Sequence, residues 1–410
     1  MTSHSKLDRR KGGTPHVRGL AALIGTLVLA LALAACGSSS SSGSGSSSSS
    51  GSASSSSSGS ASTGTSTGGA SAGVATAKTQ LQPYEANPTK ITISTPLKSA
   101  PPKGKKLVML ATSDPNNVKL QNSLKSLAAS VGWSYDQVSY DPANPATFNA
   151  AVDNAITKKA DYIAEAGVPL TSAVINKVKQ AGAKWVLTAV YPVTVQDPVI
   201  VDANGYDSDY LMGTVLANFF ISDSNGKGNV LVEHIPAYPI LGGFTDGFQA
   251  QVKKLCPGCT VKIINITIPD LAAGKVPSTM VSALRTTPDA NYMAFDVGPF
   301  ATGINSALNA AGLGSKVKII GEAADETAVA ALKSGTQTAW TGFSPIYSTY
   351  VMMDAMLRDS EGMPIDVKRS TVQPTQILTH DNINAAVGSS TSWNQPTNGL
   401  DQFKQLWHVQ

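Results

Sequence analysis

From Leu107 onward, short apolar runs alternate with amphipathic stretches, and the rhythm holds to about Arg358. Leu107–Ala111 reads as a buried strand. Val118–Val131 carries Val118, Leu120, Leu124, Leu127 and Ala128 on one face, with Lys119 and Lys125 outward, which is helical spacing. Val138 lies in a second strand, and 145–158 is a helix with Phe148, Val152 and Ile156 on one face. A strand at 162–166, a helix at 171–181 and a strand at 185–190 follow. Past Asp209 the pattern starts again. Helices are predicted at 211–222, 244–255, 278–285, 301–311, 326–333 and 347–358, and strands at 229–233, 261–266, 292–296, 317–321 and 338–342. Such alternation builds a parallel sheet covered by helices on both faces. The roughly 305 residues after Lys105 exceed what one core usually supports. The expected fold class is therefore α/β: two similar lobes, each a mainly parallel sheet flanked by helices.

The chain ahead of this body has a different character. Lys6, Arg9, Arg10, Lys11 and Arg18 precede an apolar run, Leu20–Ala32, that ends at Leu33-Ala34-Ala35-Cys36. This is the layout of a secretory signal. The run is too short for a stable span, which needs about 20 residues. Leu-Ala-Ala-Cys resembles the bacterial lipobox, so 1–35 is expected to be removed and Cys36 to be lipidated. An ordinary signal peptide or a membrane anchor that happens to end near a cysteine is the alternative. Residues 37–77 are almost entirely Ser, Gly, Ala and Thr. The segment 36–77 is read as the lipid-anchor cysteine and a flexible tether, with a reach of roughly 35 Å. Residues 78–104 carry five prolines and are read as an extended lead over the surface of a lobe. The expected localisation is the outer face of the cell membrane.

Charge gives little direction. Residues 1–35 hold five Lys/Arg and one Asp and account for the whole net +4; the rest of the chain has 26 basic and 26 acidic residues. Nothing in that balance points to nucleic acid. Cys256 and Cys259 flank Pro257-Gly258, and in an exported chain such a pair favours a disulfide, a local staple of roughly 2 kcal/mol. A redox motif lacks a thioredoxin-like context. A zinc site is poorly supplied, because the chain has five His and His234 is the nearest upstream. The Gly-x-Ser-x-Gly spacing occurs only inside the Ser/Gly-rich tract, at 64–68 and 69–73, with no strand before it to make an elbow, and there is no His-Glu-x-x-His motif or P-loop. Gly312-Leu313-Gly314 begins like a dinucleotide loop, but Val317 stands where the third glycine is required. Catalysis is not expected, nor is any cofactor or metal.

The order of elements resembles the type 1 periplasmic binding proteins, the group that includes ribose and galactose binders and the sensor halves of LacI-type repressors. The resemblance covers about 105–385. It is carried by Asp114-Pro115-Asn116-Asn117 after the first strand and Lys159-Ala160-Asp161-Tyr162-Ile163 before the third. Gln180-Ala181-Gly182-Ala183, Asp246-Gly247-Phe248 and Lys318-Ile319-Ile320-Gly321 add to it. It implies three passages of the chain between lobes. One lobe would be 105–206 plus 344–368 and the other 207–343 plus 369–385. Residues 386–410 form a tail, with Phe403, Leu406 and Trp407 at helical spacing. It also implies capture of a small molecule, a sugar or sugar-like compound, by a monomer that delivers it to the permease of an ABC-type importer. Presentation of the ligand to a membrane receptor kinase is the alternative role.

Ligands of open α/β sheets bind beyond the carboxyl ends of the strands. Candidates there are Ser113, Asp114 and Asn116 after the first strand, with Asp114 either a polar contact or the cap of the next helix. Tyr191 follows the fourth strand, where sugar binders carry Asp-Arg; Ala189 and Val190 replace that clamp. Phe244 stands near the family's missing Arg and either stacks on ligand or packs in the core. Asp296 ends a strand near a family Asn, and Glu322 follows Gly321. Phe343 takes the place of a family Gln. Trp340 beside it is read either as a stacking face or as core. With the clamp missing, the ligand is a sugar held differently or a less hydroxylated compound, such as an aromatic or nucleoside-like one.

Overall fold

A computed structural model describes residues 66–142 and 144–409, with side chains from Ser71 on. The predicted leader, Cys36 and most of the predicted tether lie outside the described residues. The described chain opens with helix α1 (Ser66–Leu81). A first sheet follows, made of β1 (Lys106–Ala111), β2 (Ser134–Ser139), β3 (Tyr162–Ala166), β4 (Lys184–Thr188) and β5 (Val199–Ala203). They stand in the order β2-β1-β3-β4-β5, all parallel. The helices between them are α2 (Pro115–Ser130), α3 (Pro145–Thr157) and α4 (Ser172–Gln180). Each starts at a side chain that accepts backbone N–H bonds: Asp114, Asn144 and Thr171. These caps satisfy donors that a first helical turn leaves without partners.

A second sheet holds β6 (Asn229–His234), β7 (Thr260–Asn265), β8 (Tyr292–Phe295), β9 (Lys318–Gly321), β10 (Ala339–Thr341) and β11 (Ile377–Thr379), in the order β11-β10-β9-β8-β6-β7. All pairs are parallel except β10 with β11. Its helices are α5 (Tyr206–Asp223), α6 (Gly242–Leu255), α7 (Ile268–Ala272), α8 (Val276–Thr286), α9 (Ile304–Ala310) and α10 (Glu326–Lys333). Then α11 (Pro345–Ser360) and α12 (Val367–Thr371) return to the first sheet. Short α13 (Ile383–Val387) and α14 (Gly399–Leu406) complete the chain. The predicted fold class is what the structure has: two mostly parallel α/β sheets flanked by helices. A disulfide joins Cys256 to Cys259 in the turn after α6.

The central strands are apolar on both faces, as parallel strands under helices must be. Each sheet has a hydrophobic layer on either side. Leu107, Met109, Leu124, Val351 and Met356 lie on one side of the first sheet, and Val108, Leu110, Val152 and Trp185 on the other. The second sheet is sandwiched the same way. The chain crosses from the first sheet to the second at 204–205, back at 342–344 and over again at 372–376. β5 is a strand that the sequence reading left out. Its run Val199-Ile200-Val201 is interrupted by Asp202, and Pro198 and Asn204-Gly205 close it in, so it looks like loop.

One expectation is corrected at the start of the body. Residues 66–77, expected to belong to the tether, form most of α1. Val74, Ala77 and Leu81, on one helical face, are buried with Leu216, Phe220 and Phe248 of α5 and α6. A side chain at Gly73 would sit 1.9 Å from the carbonyl oxygen of Leu255, so the helix lies directly on the end of α6. The same small residues that read as linker are what close approach requires.

Lead and tail are also built in. Ile93 and Leu97 are buried in the first lobe, and the tail places Phe403 and Trp407 in the same core. The Thr92 N–H donates to the Tyr347 hydroxyl at 2.9 Å, and the Leu97 N–H to the Leu406 carbonyl at 2.8 Å. At the centre Asp354 of α11 accepts from Arg358 Nε at 2.6 Å and from Trp407 Nε1 at 2.9 Å, and Arg358 also reaches the Thr95 carbonyl. Both charges are nearly sealed from solvent. Removing one partner of such a pair strands the other. Arg358→Ala is expected to destabilise the fold by about 3–5 kcal/mol, read from urea denaturation; a loss under 1 kcal/mol would show that the pair bears little weight.

Candidate ligand-binding cleft

In a doubly wound sheet the loops on either side of the order reversal diverge and leave a crevice at the carboxyl edge. The reversals lie between β1 and β3 in one sheet and between β6 and β8 in the other. Both edges bear carboxylates. In the second sheet Phe295 of β8 is level with Gly321 of β9, so the next residues, Asp296 and Glu322, are neighbours across the edge. The Glu322 N–H donates to the Phe295 carbonyl at 3.0 Å. Asp296 Oδ2 stands 3.0 Å from His234 Nδ1 and accepts from the Ile235 N–H at 3.4 Å, while the Asp296 N–H donates to Glu233 Oε2 at 3.2 Å. In the first sheet, Asp202 of β5 accepts from the Val190 N–H at 3.1 Å, and Glu165 of β3 accepts from the Tyr140 hydroxyl at 3.2 Å and the Val168 N–H at 3.1 Å.

Asp209 links the two groups. It lies in the first turn of α5, just past the first crossing, and its carboxyl feels both Asp202 and Asp296. Glu165, Asp202, Asp209, Glu233, Asp296 and Glu322 are all buried. Burial is the main cause that lifts every one of these carboxyls: Asp202 to about 7, Glu165 and Glu233 to about 8, and Asp209, Asp296 and Glu322 well above the usual range. Mutual repulsion adds to it for Asp209, Glu233 and Glu322. Several acceptor atoms in this zone have no hydrogen-bond partner: Asn204 Oδ1, Glu233 Oε1, Asp296 Oδ1, Glu322 Oε2 and Gln373 Oε1. Each such atom costs about 1–3 kcal/mol while unsatisfied. The backbone is constrained here as well. Ala189, Asn204 and Ala323, just past the ends of β4, β5 and β9, have φ of 55°, 60° and 51°. Non-glycine residues in this region concentrate where structure over-determines the chain.

Two contacts hold the lobes together around this zone. Lys119 of α2 meets Glu326 of α10 at 2.6 Å, across the cleft mouth. On the hinge side the ring of Tyr191, after β4, stacks on Tyr206 at the start of α5, with centroids 4.6 Å apart, and the Tyr206 hydroxyl donates to Asp246 of α6.

The predicted contact residues divide accordingly. Asp296 and Glu322 stand together on the edge of the second sheet. Ser113 and Asp114 are exposed on the loop after β1 and Asn116 in the first turn of α2, which Asp114 caps through the N–H groups of Asn116 and Asn117 at 2.9 and 3.0 Å. Tyr191 is exposed beside the first crossing, and half-buried Phe343 lies in the second. For Phe244 and Trp340, read as ligand face or core, the structure has core. Phe244 is wholly buried among Phe220, Phe248 and Leu216, and Trp340 lies in the opposite core, its Nε1 donating to Gln337 at 2.7 Å. Their aromatic mass is used in packing. The sequence reading missed Asp202, Asp209, Glu233 and His234. A signal was present: Val-Ile-Val-Asp and Val-Leu-Val-Glu-His each place an acid at the carboxyl end of an apolar run.

Because these carboxyls keep their protons to higher pH in the folded chain than in the unfolded one, folding takes up protons. The resulting stability is complete below about pH 4 and is lost as pH rises through 7–8. His234, held down mainly by burial, works in the other direction but is a single group. The melting temperature is expected to fall between pH 5 and pH 8 in thermal denaturation, and by less in Asp202→Asn. A melting temperature that rises over this interval would contradict the burial of these acids.

The family described as periplasmic binding protein domain matches residues 106–362. No curated protein matches the chain. Among solved structures, a glucose-galactose binding protein from Geobacillus stearothermophilus is 17% identical with a TM-score of 0.56, over 68% of this chain and 99% of that one. An ABC transporter solute binding protein from Agrobacterium vitis, bound with alpha-D-tagatopyranose, is 18% identical with a TM-score of 0.60, over 72% and 100%. One from Mycobacterium smegmatis with bound glycerol is 19% identical with a TM-score of 0.59, over 72% and 99%. At these identities the likeness is one of fold.

Proposed function

Because the chain belongs to the periplasmic binding protein domain family, we propose that it is a lipid-anchored, extracellular solute-binding protein that captures a small sugar or sugar-like molecule between its lobes and delivers it to an ABC-type importer. One observation carries the reading: beside the first crossing Asp209 feels acids of both sheets, Asp202 and Asp296, and buried oxygens there have no partner of their own. A solute with several donors completes them. The solved relatives from Geobacillus and Agrobacterium, described with sugars, support the same ligand class.

In mechanism, the chain works by hinge closure. Residues 204–205, 342–344 and 372–376 are the short segments that can absorb rotation, while the sheets move as bodies. Asp202 and Asp209 stand at the first crossing, so lobe rotation changes their distance from Asp296 and Glu322. A ligand bound to both groups favours the closed form by its differential affinity. The closed lobes would together form the surface that docks on the permease. In this reading Cys36 carries the acyl anchor, and the chain enters the body through α1 on the second lobe.

A thermal-shift panel of hexoses, pentoses, nucleosides and aromatic acids tests capture. A ligand at a hundredfold excess over Kd stabilises the fold by about 2.7 kcal/mol, a rise of a few degrees. A panel in which no compound raises the melting temperature would count against solute binding. The Lys119–Glu326 bridge is a surface pair worth at most about 1 kcal/mol. Lys119→Ala is accordingly expected to raise the open-to-closed ratio by no more than about fivefold and to enlarge the radius of gyration in small-angle scattering; an unchanged radius would remove the bridge as a latch.

A further inference from the structure

We propose that the solute taken by this cleft carries a basic nitrogen, as an ammonium group on an amino sugar or on an aliphatic amine. The inference rests on the solute-binding reading and narrows its ligand class.

Glu233, Asp296 and Glu322 occupy the carboxyl ends of three adjacent strands, and Asp209, just past the first crossing, is within electrostatic reach of Asp296, Glu322 and Asp202 of β5. Among the described residues no Lys or Arg forms an ion pair with any of these five acids. The bridges that Lys and Arg make go elsewhere, with Lys119 on Glu326 at the rim and Arg358 on Asp354 inside the first lobe. The cationic partner nearest to hand is His234, and burial favours its neutral form. Two amides make an independent observation. Asn204 and Gln373, 5% and 4% exposed, also have side-chain oxygens without partners. They sit on the first and third crossings. The Gln373 N–H donates to the hydroxyl of Ser208, next to Asp209 in the first turn of α5. Every unpartnered side-chain atom named in this zone is thus an oxygen, of an amide or of a carboxyl group.

A metal ion is a poor candidate, since no group of His, Cys, Asp and Glu among the described residues is disposed to hold one. A neutral polyol supplies hydroxyl donors but no charge that would favour ionisation of these buried, protonated acids, whereas a bound cation draws them into the carboxylate form. An ammonium supplies three N–H donors and a positive charge, and hydrogen bonds from a charged donor to a carboxylate are about twice as strong as neutral ones. Tyr191, stacked on Tyr206 and exposed at the rim, adds an aromatic face that suits a cation or a sugar ring.

Isothermal titration of the full chain separates the possibilities, with glucosamine and putrescine as amines and glucose, galactose and N-acetylglucosamine as neutral counterparts. The inference expects at least one amine to bind ten or more times more tightly than any neutral compound; glucosamine or putrescine as the better ligand identifies an amino sugar or an aliphatic amine. Glu322→Gln and Asp296→Asn should each weaken amine binding tenfold or more with the circular dichroism spectrum unchanged. If one of the two variants fails to fold, the other carries the test. Neutral sugars that bind as well as or better than both amines overturn this inference and leave solute binding standing. A folded Glu322→Gln or Asp296→Asn that binds amine as tightly as the parent also overturns it. Failure of both classes to bind would remove the cleft assignment and the inference with it.

Discussion

The structure depends on carboxylates placed at strand ends where two sheets face each other. Burying an acid is costly, and burying several together is more so. Asp202, Asp209, Glu233, Asp296 and Glu322 are nevertheless held where water scarcely reaches them. The backbone supports this through single N–H contacts: Val190 to Asp202, Ile235 to Asp296, and Asp296 to Glu233. These contacts fix orientation while other oxygens stay unsatisfied. A fold selected only for stability would have little reason to keep such a set. A fold that must recognise a polar solute does, because an unmet acceptor discriminates strongly between ligands that can and cannot donate to it.

The segments outside the family match change how the lobes are connected. α1 is anchored on α5 and α6 in the second lobe, and the lead then runs to Thr92, Thr95 and Leu97 on the first. The tail makes a similar passage, from Trp393 in the second lobe's core to Phe403 and Trp407 in the first lobe's. Lead and tail also bond to each other, through Leu97 with Leu406 and through Gln402 with the Thr89 carbonyl. The pair therefore spans the lobes in addition to the three crossings. Any opening motion must be accommodated by this strap, with Asp354, Arg358 and Trp407 fixing its end on the first lobe.

Much of the fold was legible because parallel strands need apolar runs on both faces and helices need periodic ones. Tyr162–Ala166 and Glu326–Lys333 fall where the periodicity puts them. The failures share a cause: a local pattern carrying information about something other than its own secondary structure. β5 was hidden by Asp202, whose place in the strand is decided by the cleft. α1 was hidden by small residues, whose use is close packing on Leu255. Phe244 and Trp340 stood open between ligand face and core because they lie near the expected edge. Burial depth decides their role, and one sequence does not state it. The place of Asp296 and Glu322 at strand ends was legible because each directly follows an apolar strand run.

The central claim is that two rigid lobes close on a solute at their carboxyl edges. The most direct measurement is the distance between spin labels at Lys125→Cys on α2 and Ala330→Cys on α10, taken by pulsed dipolar spectroscopy with and without each compound that raises the melting temperature. The account predicts a broad or longer distance in the free protein that becomes shorter and narrower when the solute binds. One narrow distance, identical with and without a bound compound, would contradict it.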